Sequence, residues 1–215
     1  MKAIILAAGY NKRLKGIIDY PKPLLKIEGA TLLEKNIKTL KNLGLKKEDI
    51  FVITGYKHKM IDDIFSNNVY NKFYRKYDNA YSVYLGLQKI EDDVIILDGD
   101  LIVDDKLISK MILNKNKNVV LCEKQKDEIF FTKDSNKAEL MIIPQDNTFS
   151  YKGVIKLSKF TMRKLRKKLE GKTKWYTIPL IKLVEKDDFY IVETNGKECF
   201  DIDVEEDLEK LREIK

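Results

Sequence analysis

The sequence predicts an α/β protein, a single domain built on a mainly parallel, mixed sheet with helices on both faces. Three observations predict it. Short apolar runs recur through the first hundred residues, each too short for a helix and closed by Gly, Asp or a polar turn. Between them lie stretches with apolar residues three and four apart, the spacing of an amphipathic helix, and such alternation makes a parallel sheet covered on both faces. The third is size: 215 residues with 44% hydrophobic content fill one well-buried domain and fall short of two.

In order, the first strand is expected at 2–7. A helix follows at 31–43, where Thr31 and Glu34 have capping-box spacing, Leu33, Ile37 and Leu40 share a face, and Gly44 ends the run. A buried strand at 50–54 closes on Gly55 and Tyr56; a short helix is expected at 58–65 and a strand at 69–74. At 80–90, Tyr84, Leu87 and Ile90 lie on one helical face, and a strand at 94–97 runs into Asp98, Gly99 and Asp100. The second half is less regular. Strands at 119–123, 129–132, 140–143 and 151–157 are separated by polar turns and read as a β-rich insert or lid, roughly 119–157, within a domain of 1–215. Helices at 158–168 and 178–185, a strand at 189–193 and a helix at 204–212 complete the chain. No internal repeat, low-complexity tract or long linker interrupts it.

The composition excludes several classes. No apolar run approaches the roughly 20 residues that span a bilayer. The opening Met-Lys-apolar stretch is too short for a signal peptide, and basic residues follow at once. Cys122 and Cys199 stand in no metal spacing, which predicts reduced thiols in a cytoplasmic protein. The net charge of +7 suits an anionic ligand. Acids interleave the lysines, so no nucleic-acid face emerges, and the basic cluster at Arg163, Lys164, Arg166, Lys167 and Lys168 reads as the solvated side of a helix.

The chemistry concentrates at the N-terminus, in MKAIILAAGYNKRLKGIIDYPKPLLKI. Ala8 and Gly9 place little side chain between backbone and ligand. Arg13 and Lys22 ride on the same loop, and Pro21 and Pro23 stiffen its return. A strand ending in a glycine loop with free amides and two cations is a phosphate cradle. The GxxxxGK[ST] and GxGxxG phosphate loops are absent.

This stretch resembles the LAAGxGxRL…PKxLL signature of the sugar-nucleotidyltransferase-like (GT-A-like) family, through Leu6, Ala7, Ala8, Gly9, Arg13, Leu14, Pro21, Lys22 and Leu24. The family's second glycine is Asn11 here, a residue that tolerates positive φ, and its following Ser or Thr is Lys12. The resemblance implies a Rossmann-like nucleotidyltransferase fold. It also implies a nucleotide lying along Leu6, Ala8, Gly9 and Asp98.

Acids stand where an open α/β sheet binds its ligands, Asp98 and Asp100 after one strand and Asp201 and Asp203 after another. Carboxylates from distant segments meeting over a phosphate make a hard-oxygen site for Mg²⁺, although strand-end acids serve equally as turn and N-cap residues. The resemblance of ILDGD and FDIDVEEDL to the family's acidic motifs implies Asp100 as one metal ligand and Asp203, with Asp201 beside it, as the other.

Within the family, DNAYSVYLGL resembles the NNxYSLYLA stretch of the phosphocholine and aminoethylphosphonate cytidylyltransferases, which implies Asn79 and Ser82 near the nucleoside. Trp175 and Tyr176 fall near where those enzymes place substrate aromatics, and so become acceptor-binding candidates. The implied activity is transfer of CMP from CTP, or of another nucleotide, to a small phosphomonoester or phosphonate such as phosphocholine, with Mg²⁺ as cofactor and pyrophosphate released. Arg13 would hold the departing pyrophosphate, and Lys22 would bridge the two phosphates that react. Two alternatives stand beside it: transfer to a sugar-1-phosphate or inositol phosphate, and a nucleotide binder without turnover. His58, the one histidine, falls outside these motifs and reads as a surface helix residue.

Overall fold

The computed structural model describes residues 1–124, 130–134, 137–141 and 148–213, less 173, 177, 178, 181, 182, 184–186 and 195–198. Its centre is β1 (Lys2–Ala7), bonded in parallel to β4 (Ile50–Thr54) on one side and β6 (Val94–Asp98) on the other. Outside β4 runs β5 (Asn68–Tyr70), also parallel. The order β5-β4-β1-β6 reverses direction of travel at β1, and the ligand crevice of an open sheet lies beyond the strand ends at such a switch.

Past β6 the sheet becomes mixed. β11 (Thr148–Leu157) lies antiparallel between β6 and β8 (Val119–Lys124), and β12 (Tyr190–Thr194) runs parallel to β8. A hairpin of β9 (Phe130–Asp134) and β10 (Lys137–Met141) finishes the nine-stranded order among the described residues. β8 and β11, which fall in the stretch 119–157 expected as a β-rich insert or lid of the domain, are interior strands of the main sheet, since β11 bonds to both β6 and β8, pairings between distant segments that local pattern does not report.

Both faces are covered, as expected. Ile4, Ile53 and Ile96 point to α3 (Asn79–Leu87) and α5 (Lys159–Leu169), while Ala3, Ile5 and Val52 point to α1 (Leu32–Asn42) and α4 (Asp105–Leu113). Alternate residues of one buried strand thus feed two cores. α1 begins with the expected capping box: Glu34 N donates to Thr31 Oγ1, and Thr31 N to Glu34 Oε2. α4 was not anticipated, although Asp104 caps it and Leu107, Ile108 and Met111 carry helical spacing. The helix expected at 58–65 shrinks to α2 (Lys59–Asp62), and most of the one expected at 178–185 lies outside the described residues.

A third, smaller core positions the site. Leu14, Leu25, Ile27 and Leu32 pack with Ile202, Leu208 and Leu211, the last two from α6 (Glu205–Glu213). Each fully buried Leu or Ile there stabilises by roughly 1.5–3 kcal/mol. The cluster clamps the loop bearing Arg13 and Lys22 against the segment bearing Asp203. Two short antiparallel pairs flank it: β2 (Lys26–Ile27) with β3 (Ala30–Thr31), and β7 (Leu101–Val103) with β13 (Cys199–Asp201). The second pair brings the two acidic motifs side by side, since Asp201 pairs with Leu101. Cys122 and Cys199 are buried free thiols, and no described helix is long and apolar enough to cross a membrane.

Candidate active site

Beyond the carboxyl ends of β1 and β6 opens a cleft of about 520 Å³. Its floor is the Ala8-Gly9 loop. Gly99 lets β6 end against β1: its N–H donates to Leu6 O at 2.9 Å, and a Cβ there would stand 2.5 Å from that oxygen. Gly9 has open space where a side chain would be, as a backbone surface for a ligand requires. Asn11 holds the turn at φ 51°, and its Nδ2 donates to Tyr20 O at 2.7 Å. The glycine-to-asparagine departure is therefore absorbed without loss of the turn.

Lys22 is only 8% exposed, and its ammonium donates to Asp100 Oδ2 at 3.0 Å and to Asp203 Oδ1 at 2.7 Å. Arg13 reaches the other Asp203 oxygen at 2.7 Å from the exposed side. Burial alone would lower the Lys22 pKa, but the charges and hydrogen bonds of Asp100 and Asp203 outweigh it and hold the group above its ordinary value. Asp98 and Asp201 crowd the same corner. Burial, with repulsion from Asp100, Asp201 and Asp203, raises Asp98 well above the usual carboxylate range. Asp201 opens onto the cleft with protein around its other sides; burial, then Asp100 and Asp203, push it up to about 6.

Four carboxylates and two cations leave this corner short of positive charge. The donor set is all oxygen, and Asp100 and Asp203 already share one cation, so both reach a common point. Among the described residues no three acids group closely enough to hold an ion by themselves. Mg²⁺ needs no such cage, because it binds through one or two carboxylates and completes its shell with waters and substrate phosphates. The oxygen donors present could hold such an ion, and Asp100 and Asp203 would be its protein ligands.

The opposite wall is made by β5's exit and the start of α3. Asn79 and Ser82 both line the cleft, yet both also have protein partners. Asn79 Oδ1 accepts from Tyr176 N at 3.0 Å, and Ser82 Oγ accepts from Asn71 Nδ2 at 2.9 Å. Asn71 is buried and lines the cleft as well, and so do Tyr10, Tyr74 and Arg75; single residues in loops after strands, they carry no spacing that marks them in the sequence.

The two acceptor candidates separate. Trp175 stands 55% exposed on the cleft wall. Tyr176 is fully buried, its ring edge-on to Tyr151 and its hydroxyl bonded to the Tyr151 hydroxyl. It belongs to the core, and its assignment to the acceptor is corrected. His58 is bonded to Asp62 at 2.8 Å on the surface, and exposed Arg163 pairs with Glu91, as expected for a solvated face; Arg166 departs from it, half-buried and donating to Leu87 O and Ile90 O as well as pairing with Glu91.

Comparison with known proteins agrees with this geometry. The choline-phosphate cytidylyltransferase of Haemophilus influenzae is 28% identical over 220 residues, covering 94% of this chain and 92% of its own. The bifunctional protein GlmU of Methanococcus aeolicus is 33% identical over 124 residues, which is 56% of this chain, and the match spans 29% of GlmU's own length. The solved structure of CTP:phosphocholine cytidylyltransferase from Streptococcus pneumoniae shares the fold with a TM-score of 0.80 at 24% identity, covering 99% of this chain and 98% of that one. Residues 3–168, from β1 through nearly all of α5, match the MobA-like NTP transferase domain. That match covers most of the chain, and the chain belongs to the MobA-like NTP transferase family.

Proposed function

We propose that this nucleotidyltransferase is a cytidylyltransferase, moving CMP from CTP to a small phosphomonoester or phosphonate, with phosphocholine the leading acceptor. The observation that carries the reading is the ammonium of Lys22 held between Asp100 and Asp203 at the mouth of the β1/β6 crevice. The choline-phosphate cytidylyltransferase likeness, which runs almost end to end, supports the choice of nucleotide and acceptor.

An acceptor phosphate oxygen attacks the α-phosphorus of CTP in line. The new P–O bond forms as the bond to the β-phosphate bridge breaks, and pyrophosphate leaves with the electron pair. The attacking oxygen is already ionised near neutral pH, with a second pKa of about 6, so no general base is required. The chain's task is positioning and charge neutralisation. Lys22 holds the α-phosphate and acceptor phosphate together, offsetting their repulsion, and Arg13 takes the pyrophosphate at the open side. Mg²⁺ held by Asp100 and Asp203 would supply charge neutralisation at the phosphates. Ala8 and Gly9 keep side chains clear of the nucleotide. Trp175 offers an exposed π face to a quaternary ammonium, an attraction of about 0.5–2 kcal/mol.

The test is pyrophosphate release from CTP, UTP, GTP and ATP, each with phosphocholine, aminoethylphosphonate, phosphoethanolamine, inositol phosphate and sugar-1-phosphates. The expected result is CTP with phosphocholine or a close analogue, and a raised acceptor KM in Trp175→Ala. Equal turnover of UTP, or turnover confined to sugar-1-phosphates, would overturn the choice of substrates. No release from any pair would overturn the enzyme itself.

A further inference from the structure

On the far side of the phosphate loop from the acids, three tyrosines meet. Tyr10 follows Gly9 directly, Tyr56 follows Gly55 at the end of β4, and Tyr74 lies in the turn after β5. Their ring centroids are 5.2 Å apart for Tyr10–Tyr56, 6.3 Å for Tyr10–Tyr74 and 6.5 Å for Tyr56–Tyr74. The Arg75 guanidinium sits 4.8 Å from the Tyr10 centroid and 5.7 Å from that of Tyr74. Tyr10, Tyr74 and Arg75 line the cleft, whereas the Tyr56 hydroxyl turns away to Asp19.

The three segments are held at a fixed separation. A Cβ on Gly55 would stand 2.6 Å from both Ala8 O and Tyr74 Cβ, so only glycine lets them close together. Arg75 is ion-paired to no carboxylate among the described residues, in contrast to Arg13 and Lys22. Its charge faces tyrosine rings and the cleft.

We infer that Tyr10 and Arg75, backed by Tyr74, form the stacking wall for the nucleobase. The inference rests on the proposed nucleotide reading and adds the residues that hold the base. The phosphate end of the ligand is fixed by Arg13, three residues along the loop, so chain geometry keeps the wall within about 11 Å of it at the backbone, the reach of one nucleotide. A planar base matches a surface of flat rings and a flat cation, and base–aromatic stacking is strong and tolerant of base identity. The choline headgroup does not suit this place, because the permanently charged guanidinium already occupies the aromatic cluster and repels a second cation.

The experiment is calorimetric titration of the full chain with CMP, with UMP and with inorganic pyrophosphate, in the presence of Mg²⁺. Tyr10→Ala should weaken CMP and UMP alike by about tenfold, as loss of one stacked ring predicts, and leave pyrophosphate unchanged. Tyr10→Phe keeps the ring and should stay near wild type. Arg75→Gln, at an exposed residue with no ion pair among the described residues, tests the same wall with little demand on folding and should weaken CMP severalfold. Wild-type CMP affinity in both Tyr10→Ala and Arg75→Gln overturns the wall. Parallel loss of CMP and pyrophosphate in either variant also overturns it, because the group then binds phosphate or holds the fold. A wild-type chain that turns over nucleotide while these variants keep their CMP affinity fails this inference alone; one that binds no nucleotide at all fails the functional reading with it.

Discussion

The ammonium of Lys22 donates to Asp203 at 2.7 Å, joining residues 181 apart in sequence. Asp100 completes the contact from a third segment. The loop that carries Lys22 and both acidic strand ends therefore form one ion network, and substitutions within it will not act independently.

Asp100→Ala or Asp203→Ala should cut turnover by at least about a hundredfold, since a bound divalent ion supplies several kcal/mol of charge stabilisation at a transferring phosphorus. Circular dichroism should show an intact fold, because neither residue lies in a core cluster. Full activity in excess chelator would sink the Mg²⁺ assignment.

Lys22→Ala should lower kcat by roughly tenfold to a hundredfold, from a charge-assisted contact of about 1.5–3 kcal/mol. Arg13→Ala, altered at an exposed side chain, should act more on the KM for CTP. A Lys22→Ala/Asp203→Ala double-mutant cycle should be non-additive in kcat/KM. Strict additivity would show that the 2.7 Å contact does not matter to the reaction.

The acids predict a pH effect whose sign follows from proton counting. Asp201 is pushed up to about 6, mainly by burial and then by Asp100 and Asp203, against about 3.9 in an unfolded chain. Between those values the folded state binds more protons, so this group's contribution to stability falls as pH rises through the window. Surface acids such as Asp49 and Glu91 are lowered by hydrogen bonds to Lys2 and Arg163, and they act in the opposite sense at lower pH. Comparison with a variant isolates the effect. In metal-free protein Asp201→Asn should raise Tm near pH 7.5 and leave it unchanged near pH 4. An equal shift at both would refute the assigned cause.

Asn11 gives a test of the loop. Asn11→Gly keeps the left-handed turn but loses the bond to Tyr20 O, at a cost of about 1 kcal/mol. Asn11→Ala loses the bond and adds left-handed strain, for roughly 2–3 kcal/mol in total by urea unfolding. Equal stability of the two variants would show that backbone strain is not what selects Asn here.

The parallel half of the fold was legible because each strand is an apolar run with its stop written at the end: Gly9 soon after β1, Gly55 after β4, and Asp98 closing β6. Arg13, Lys22, Asp100 and Asp203 were legible as motifs, and the structure brings all four into contact through the third core and the β7/β13 pair. What stayed hidden was non-local. Nothing near 154–157 reveals that it pairs with 94–97, and that pairing turns an expected insert into the middle of the sheet. Trp175 and Tyr176 were indistinguishable because two adjacent aromatics in a turn have no periodicity to assign faces. Backbone contacts decide them: Ala80 N donates to Lys174 O and Tyr176 N to Asn79 Oδ1, which seats Tyr176 inward and leaves Trp175 outside.

The double pairing of β1 has a further consequence for the order in which the molecule opens. Ala3, Ile4 and Ile5 are fully buried and Ala7 almost so, with hydrogen-bonded strands on both flanks, whereas β5 has one neighbour among the described strands and half-buried or exposed side chains. Local fluctuation begins where such protection is least. The β5 edge and the turn after it can fray and re-form many times while β1 stays closed. The anchor of the loop after β1 is then lost only in global unfolding, and its amide protons will be among the last to exchange with solvent.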